Sequence, residues 1–244
     1  KFGLTAGIHS LDPNEIKRWT QQILAGNLYI NRTITGAIVR RQPFGGWKSS
    51  SVGPTVKAGG PNYVMTMGTW RQIADAQESE IMDPKIMDVI EGWCANFDEA
   101  TLGSVIAAAR SFARWWRDEF GIEHDPSRLR SESNMFRYRP LNDAVIFRVT
   151  DAVGMLDIAV TAIASMITGV PLCISTTEPL LFDPKVNVVV ESDEALVERL
   201  SSLAISRLRA PENANMVLTS AAHVAGIVVD SAPVVRNGRV ELVH

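Results

Sequence analysis

Apolar positions along this chain alternate between the two-residue period of strands and the wider period of helices. Phe2–His9 reads as a strand, and Asp12-Pro13-Asn14-Glu15 as a helix start with proline in the first turn. Ile16, Trp19, Ile23 and Leu24 fall on one face of that helix, Gly26 ends it, and Leu28–Ile30 is a second strand. Tyr63, Met65 and Met67 alternate with smaller residues and predict a further strand over Asn62–Met67. From Thr69 to Phe120 the pattern is helical. Ile86, Val89, Ile90 and Trp93 keep helical spacing within Pro84–Phe97. Ala107, Ala108, Ala109, Phe112, Ala113, Trp115 and Trp116 suit a packed helix that ends near Gly121.

Strands return after His124-Asp125-Pro126. Met135–Arg139 and Val145–Val149 flank an Asn142-Asp143 turn. A helix over Met155–Ile167 stops at Thr168-Gly169, and Val170–Ile174 reads as a buried strand. Val186–Val190, a helix over Asp193–Ala204, a helix within Pro211–Ala225 and a strand at Ile227–Val229 continue the alternation. This rhythm predicts an α/β protein with a parallel, doubly wound sheet.

One stretch fits neither period. Thr35–Pro61 is rich in glycine and proline around Phe44, which predicts a loop in glycine-permitted conformations. The small side chains at Gly36–Ala37 let a ligand approach the backbone N–H groups, and such pairs bind carboxylate or phosphate oxygens. Loop chemistry alone is equally that of a connection with no ligand. The motifs decide. Gly26-Asn27-Leu28-Tyr29-Ile30-Asn31-Arg32, Thr35-Gly36-Ala37, Gln42-Pro43-Phe44-Gly45-Gly46 and Lys57-Ala58-Gly59-Gly60-Pro61 together resemble the C-terminal part of an aldehyde dehydrogenase. More narrowly, they resemble the L-glutamate γ-semialdehyde (Δ1-pyrroline-5-carboxylate) dehydrogenase module of the bifunctional proline utilization A family.

That resemblance implies that Gly36 and Ala37 anchor the substrate α-carboxylate through their backbone and that Phe44 packs on its aliphatic chain. It implies a parent that oxidises proline with FAD and glutamate γ-semialdehyde with NAD, using a cysteine nucleophile located upstream. No catalytic, cofactor-binding or metal-binding residue is expected in this chain, which is expected to be inactive alone and to carry neither NAD nor FAD. The chain departs from the family at Arg40-Arg41, where a Val-Gly pair is usual, and at Ser50-Ser51-Val52-Gly53, with Thr55-Val56 inserted.

Ser133–Pro140, Ala162–Val170, Ala225–Val229 and Ala232–Leu242 resemble the C-terminal domain of the longer proline utilization A proteins, itself similar to an aldehyde dehydrogenase Rossmann unit that has lost its chemistry. Ser175-Thr176-Thr177-Glu178 stands where an active enzyme carries a lysine in a K-P-S-E run, and no G-x-G-x-x-G appears. The expected organisation is the end of an aldehyde dehydrogenase module over residues 1–67, a helical connection over 68–125, and a degenerate, truncated Rossmann-like domain over 126–244. Two other roles remain open for the later part: a structural oligomerisation or tunnel-lid domain, and a regulatory nucleotide site.

Composition changes this picture little. At 46% hydrophobic and 21% charged residues, with net charge −3, the 244-residue chain is ordinary globular sequence with no general attraction to nucleic acid. No apolar run is long enough to span a bilayer, and no signal-peptide layout opens the chain. Cys94 and Cys173 lack metal-site or disulfide spacing, so a reducing cytoplasm is the default and both read as buried structural thiols. His223 lacks a partner and reads as structural. The aromatics from Trp93 to Trp116 are read as interhelical core over a base-stacking platform. The early basic residues, Arg40 and Arg41 among them, read as a solvated face or one that meets acidic parts of the missing chain; the alternative is that they draw in an anionic substrate. The non-polar openings and endings at Lys1–Gly7 and Val240–His244 suggest a piece of a longer polypeptide, with upstream catalytic and flavin domains and a homo-oligomeric assembly as its expected partners.

Overall fold

A computed structural model describes residues 2–38, 41–51, 56–75, 77–212 and 215–244. Arg40, Val52, Gly53 and Thr55, singled out above, lie outside these residues. The chain forms two compact units: residues 1–69 with 123–137, and residues 70–122 with 138–244.

In the first unit, the expected strand over Phe2–His9 is divided. β1 (Phe2–Gly3) runs antiparallel to β4 (Trp47–Lys48), while β2 (Thr5–Ile8) runs parallel to β3 (Asn27–Ile30). Helix α1 (Pro13–Gln22) joins β2 to β3. Asp12 caps it by accepting the Asn14 N–H at 2.8 Å, as the Asp-Pro start predicted. The expected strand at Asn62–Met67 is instead a single tight turn of helix over Val64–Met67. Its N–H groups find acceptors three residues back, Met65 on Asn62 (3.2 Å), so the apolar alternation is not matched by a strand partner among the described residues. The expected strand Met135–Arg139 is reduced to an isolated antiparallel bridge between Phe136 and His124.

The second unit is the doubly wound sheet. Its helical layer is α2 (Pro84–Gly92) and α3 (Glu99–Trp115), the latter widening into a turn over Trp116–Phe120 that Gly121 closes by donating to the Trp116 carbonyl (2.7 Å). Then follow β5 (Ala144–Arg148), α4 (Met155–Thr168), β6 (Leu172–Thr176), β7 (Asn187–Val190), α5 (Asp193–Leu200), β8 (Ile205–Arg209), α6 (Met216–Val224), β9 (Val228–Asp230) and α7 (Gly238–Glu241). All pairings are parallel, in the order β7-β6-β5-β8-β9.

Alternation along the central strands explains the two layers. Val145 and Phe147 of β5 and Leu172 and Ile174 of β6 join a core with α2, α3 and α4; Ile146 and Cys173 join a second core with α5 and α6. Strands buried on both faces read as continuous apolar runs, and these do. The apolar tail Val240–Leu242 lies at a helix because Asn237 caps Arg239 N–H at 3.0 Å.

The aromatic cluster is core. Trp93, Phe97 and Phe182 meet edge to face at 5.0–6.2 Å between ring centres, and Trp93 Nε1 donates to the Asp183 carbonyl at 2.8 Å. Arg114 and Arg117 are bound to Glu78 and Glu80, which removes them as base partners. Cys94 contradicts its expectation: it is exposed, because it directly follows Trp93 at the helix end and points away from the face that Trp93 buries. Cys173 is buried as expected, and burial raises its pKa. His223 is exposed on the last turn of α6.

Candidate functional site

The glycine-rich stretch is a braced loop. Asn27, at the start of β3, donates to the Pro43 carbonyl (3.0 Å) and accepts the Gly45 N–H (3.2 Å), holding Phe44 between two fixed neighbours. Phe44 and Ala58 exchange backbone hydrogen bonds of 3.1 and 2.9 Å. The Lys57 ammonium reaches across to the Gly26 carbonyl (2.5 Å), the Gly45 carbonyl (2.9 Å) and Asn27 Oδ1 (3.2 Å). Three N–H donors thus meet three oxygens. All three acceptors are uncharged, so nothing offsets burial, which lowers the Lys57 pKa to about 8. Gly26 is needed for this approach: a Cβ there would stand 1.8 Å from the Gly45 carbonyl oxygen. These contacts explain why G-N, P-F-G-G and K-A-G-G-P occur together. They are three faces of one joint.

The expected substrate residues lie beside the joint. Phe44 is 40% exposed, with its backbone fixed and its ring accessible. Gly36 has φ +88°, a conformation glycine adopts without strain, and a Cβ built there meets nothing within 4 Å. Among the described residues, neither the Gly36 nor the Ala37 N–H is hydrogen-bonded. A tight turn follows, in which the Ile38 carbonyl accepts from Arg41 (3.1 Å) and Gln42 (2.7 Å). It brings the Gln42 side chain back to Gly36. The Gln42 amide lies among three groups: in one orientation it donates to Asn134 Oδ1 at 3.0 Å, and in the other it donates to the Gly36 carbonyl at 2.9 Å and accepts from Arg32 Nη1 at 2.7 Å.

Nothing local in sequence marks what braces this turn from outside. Glu132, about a hundred residues on, pairs with Arg32 at 3.1 Å and with Arg41. Its pKa is lowered by the Arg41 hydrogen bond first, then by Asn134. Asn134 donates to Glu132 (3.2 Å) and to the Ser127 hydroxyl (2.9 Å). Asp125 then gathers its own segment, accepting from the Ser127 hydroxyl (2.7 Å) and the N–H groups of Arg128 (3.0 Å), Asn134 (3.1 Å) and Ser127 (3.0 Å). These bonds hold its pKa at about 2. Arg41 therefore meets an acidic partner within the chain.

The second unit carries the other place where this fold binds ligands. In an open α/β sheet that place is the crevice beyond the strand ends at the switch point, here between β5 and β8. Thr150, after β5, donates across it to the Pro211 carbonyl, after β8, at 3.1 Å. Arg209, at the end of β8, is buried against the Glu241 carboxylate, which also accepts the Val235 N–H at 2.9 Å. Arg148, at the end of β5, is bound to Asp193 (2.6 Å) and Ser175 (2.9 Å). At the start of α4, the Gly154 N–H donates to Asp157 Oδ2 at 3.0 Å. Burial raises the Asp157 pKa, and Glu241 adds to it. Among the described residues no cluster of three or more His, Cys, Asp or Glu side chains offers a metal site, and no helix is long and apolar enough to cross a membrane.

Residues 1–73 match the aldehyde dehydrogenase family. Curated relatives include the bifunctional protein PutA of Rhizobium meliloti, 45% identical over 87 residues (36% of this chain, 7% of that protein). PutA of Escherichia coli is 42% identical over 80 residues (33% and 6%), and 1-pyrroline-5-carboxylate dehydrogenase of Bacillus licheniformis is 47% identical over 64 residues (26% and 12%). The structure of Proline Utilization A from Corynebacterium freiburgense is similar over 100% of this chain and 22% of that one, at 39% identity and a TM-score of 0.73. The likeness to PutA-type aldehyde dehydrogenases that the motifs carry is thereby shown, as is the α/β fold with its Rossmann-like parallel sheet. The chain spans a small part of each of these relatives.

Proposed function

We propose that this chain is a section of a larger proline-catabolic enzyme, in which it supplies the substrate-carboxylate anchor of a glutamate γ-semialdehyde dehydrogenase. The observation that carries this reading is the Gly36–Ala37 turn: two adjacent unpaired N–H groups beside a positive-φ glycine, in a loop braced by Lys57 and Asn27. Such a pair suits a carboxylate and spends no charged side chain on it. Phe44 offers an apolar ring to the carbons between the carboxylate and the aldehyde. The reaction class is oxidation of that aldehyde to the acid, with NAD as hydride acceptor and FAD serving the proline step of the same parent. The nucleophile comes from outside this chain in this reading, since Cys173 is buried with a raised pKa and Cys94 has no histidine near it in sequence.

The second unit takes a structural role in this reading. Its switch-point crevice does not fit a dinucleotide: the Thr150–Pro211 bond crosses it, and Asp157 takes the helix-start position that a pyrophosphate needs. Asp157 and Glu241 would repel a phosphate there. No step of the reaction is assigned to this crevice.

NADH formation from glutamate semialdehyde tests the proposal, measured on this chain alone and on the full-length protein that carries it. Activity only in the full-length protein is expected. Activity in the isolated chain, or its absence from the full-length protein, overturns the reading. Calorimetric titration of the folded chain with NAD tests the second unit, for which no saturable binding is expected.

A further inference from the structure

The charged clamp around Glu132 is not absorbed by the anchor reading, yet it holds the loop that carries the anchor. Arg32 and Arg41 stand at the two ends of that loop, and one carboxylate takes both. Closing a loop at its base removes conformations that its tip would otherwise sample. The clamp is also linked to the tip: the Gln42 amide lies within hydrogen-bond distance of the Gly36 carbonyl (2.9 Å), Arg32 Nη1 (2.7 Å) and Asn134 Oδ1 (3.0 Å). Asn134 is 8% exposed and ties Glu132 to a segment that Asp125 has already folded on itself. The carboxylate is therefore presented by a preformed support.

We propose that Glu132 is a positioning residue for substrate recognition, fixing the Arg32–Arg41 loop so that the Gly36 and Ala37 N–H groups meet the α-carboxylate of an amino-acid semialdehyde. This rests on the anchor reading above and adds a residue to it. Glu132 does not touch substrate; it acts through Arg32, Arg41 and Gln42. It also cancels one of the two arginine charges, so that selection for the carboxylate comes from directed N–H groups more than from a diffuse positive field. Pre-organised hydrogen bonds of this kind discriminate by geometry, and small displacements weaken them steeply.

The test uses the full-length protein and compares two aldehydes, glutamate semialdehyde and pentanal, which lacks the carboxylate and amine. The readout is the ratio of their kcat/KM values. In Glu132→Ala this ratio should fall roughly tenfold, mainly through the KM of the semialdehyde. Glu132→Asp should recover part of it. Arg41→Met, which leaves Arg32 and Glu132 to pair, should lower the same ratio and stands in if Glu132→Ala does not fold. A merely structural role would depress both substrates together and leave the ratio unchanged, which overturns the proposal. Gly36→Val separates the two ideas. If it abolishes the preference while the Glu132 and Arg41 variants retain it, the clamp inference alone fails. If Gly36→Val keeps the preference, the anchor reading itself fails and takes the clamp with it.

Discussion

Replacing Lys57 by methionine keeps most of the apolar stem and removes its three donors. The structure sets the size of the effect. A pKa of about 8 against the ordinary lysine value of 10.5 means that burial costs the ammonium on the order of 3 kcal/mol. Against this stand hydrogen bonds to the Gly26 and Gly45 carbonyls and to Asn27 Oδ1, each worth about 1.5–3 kcal/mol when the donor is charged. The difference favours lysine, and Lys57→Met should destabilise the loop by about 1.5–6 kcal/mol. The pH dependence has a definite sign. The folded pKa lies below the unfolded one, so between about 8 and 10.5 the unfolded chain binds more protons, and this group's contribution to stability rises with pH there. Amide exchange at Phe44 and Ala58, whose N–H groups bond across the joint, reports the local loss; urea unfolding from pH 7 to 10 reports the titration. Methionine should speed both amides and abolish the alkaline rise. Unchanged exchange at Phe44 and Ala58 would refute the view that Lys57 holds the loop together.

Gly26→Ala places a methyl 1.8 Å from the Gly45 carbonyl oxygen, so it should displace the joint and lower the thermal midpoint of the first unit, read by the same two amides. Glu241→Ala leaves the buried Arg209 guanidinium without its carboxylate and should cost about 3–5 kcal/mol in urea unfolding of the second unit, whereas a surface ion pair such as Lys185–Asp183 should cost little. The Asp125 pKa is depressed to about 2, so its contribution is present above about pH 4 and is lost as pH falls towards 2. The 123–137 segment should loosen over that window, followed by amide exchange at Asn134, and Asp125→Asn should remove the acid dependence.

What the sequence made legible follows from how each feature is encoded. The sheet of the second unit was readable because strands buried on both faces and helices between them leave local periodicity: β5, α4, β6, β7 and α5 fall where the apolar runs and the glycine stop at Gly169 put them. Short elements were not readable. Tyr63, Met65 and Met67 alternate as a strand would, but a strand also needs a partner, and backbone pairing is not written in its own residues. The Phe136 bridge to His124 shows the same limit. Cys94 was misjudged because helical spacing fixes which face a residue shares only while the helix lasts, and the helix stops at Trp93. In the glycine-rich loop the motifs single out Gly36, Ala37 and Phe44, the residues of the proposed anchor, but not what supports them. The roles of Lys57 and Asn27 depend on a carbonyl brought near by folding. Glu132 is invisible in sequence, since nothing local marks one acid among many as the partner of Arg32 and Arg41.

The two units answer the same physical demand in different ways. A helix start and the ends of parallel strands present polar groups that need partners, and a ligand is one way to provide them. In the second unit the chain provides its own: Asp157 at α4, Glu241 against Arg209, Asp193 against Arg148, and Thr150 bonded to the loop opposite. Once these groups are paired internally, a competing anion must displace carboxylates and leave buried arginines unmatched, which counts against its binding. In the anchor loop the opposite holds. Lysine, asparagine and glutamate side chains satisfy the surrounding carbonyls and arginines, while the N–H groups of Gly36 and Ala37 are left over in a rigid frame. Two adjacent open donors beside a braced loop are why the proposed function rests there and not on the larger, more regular sheet.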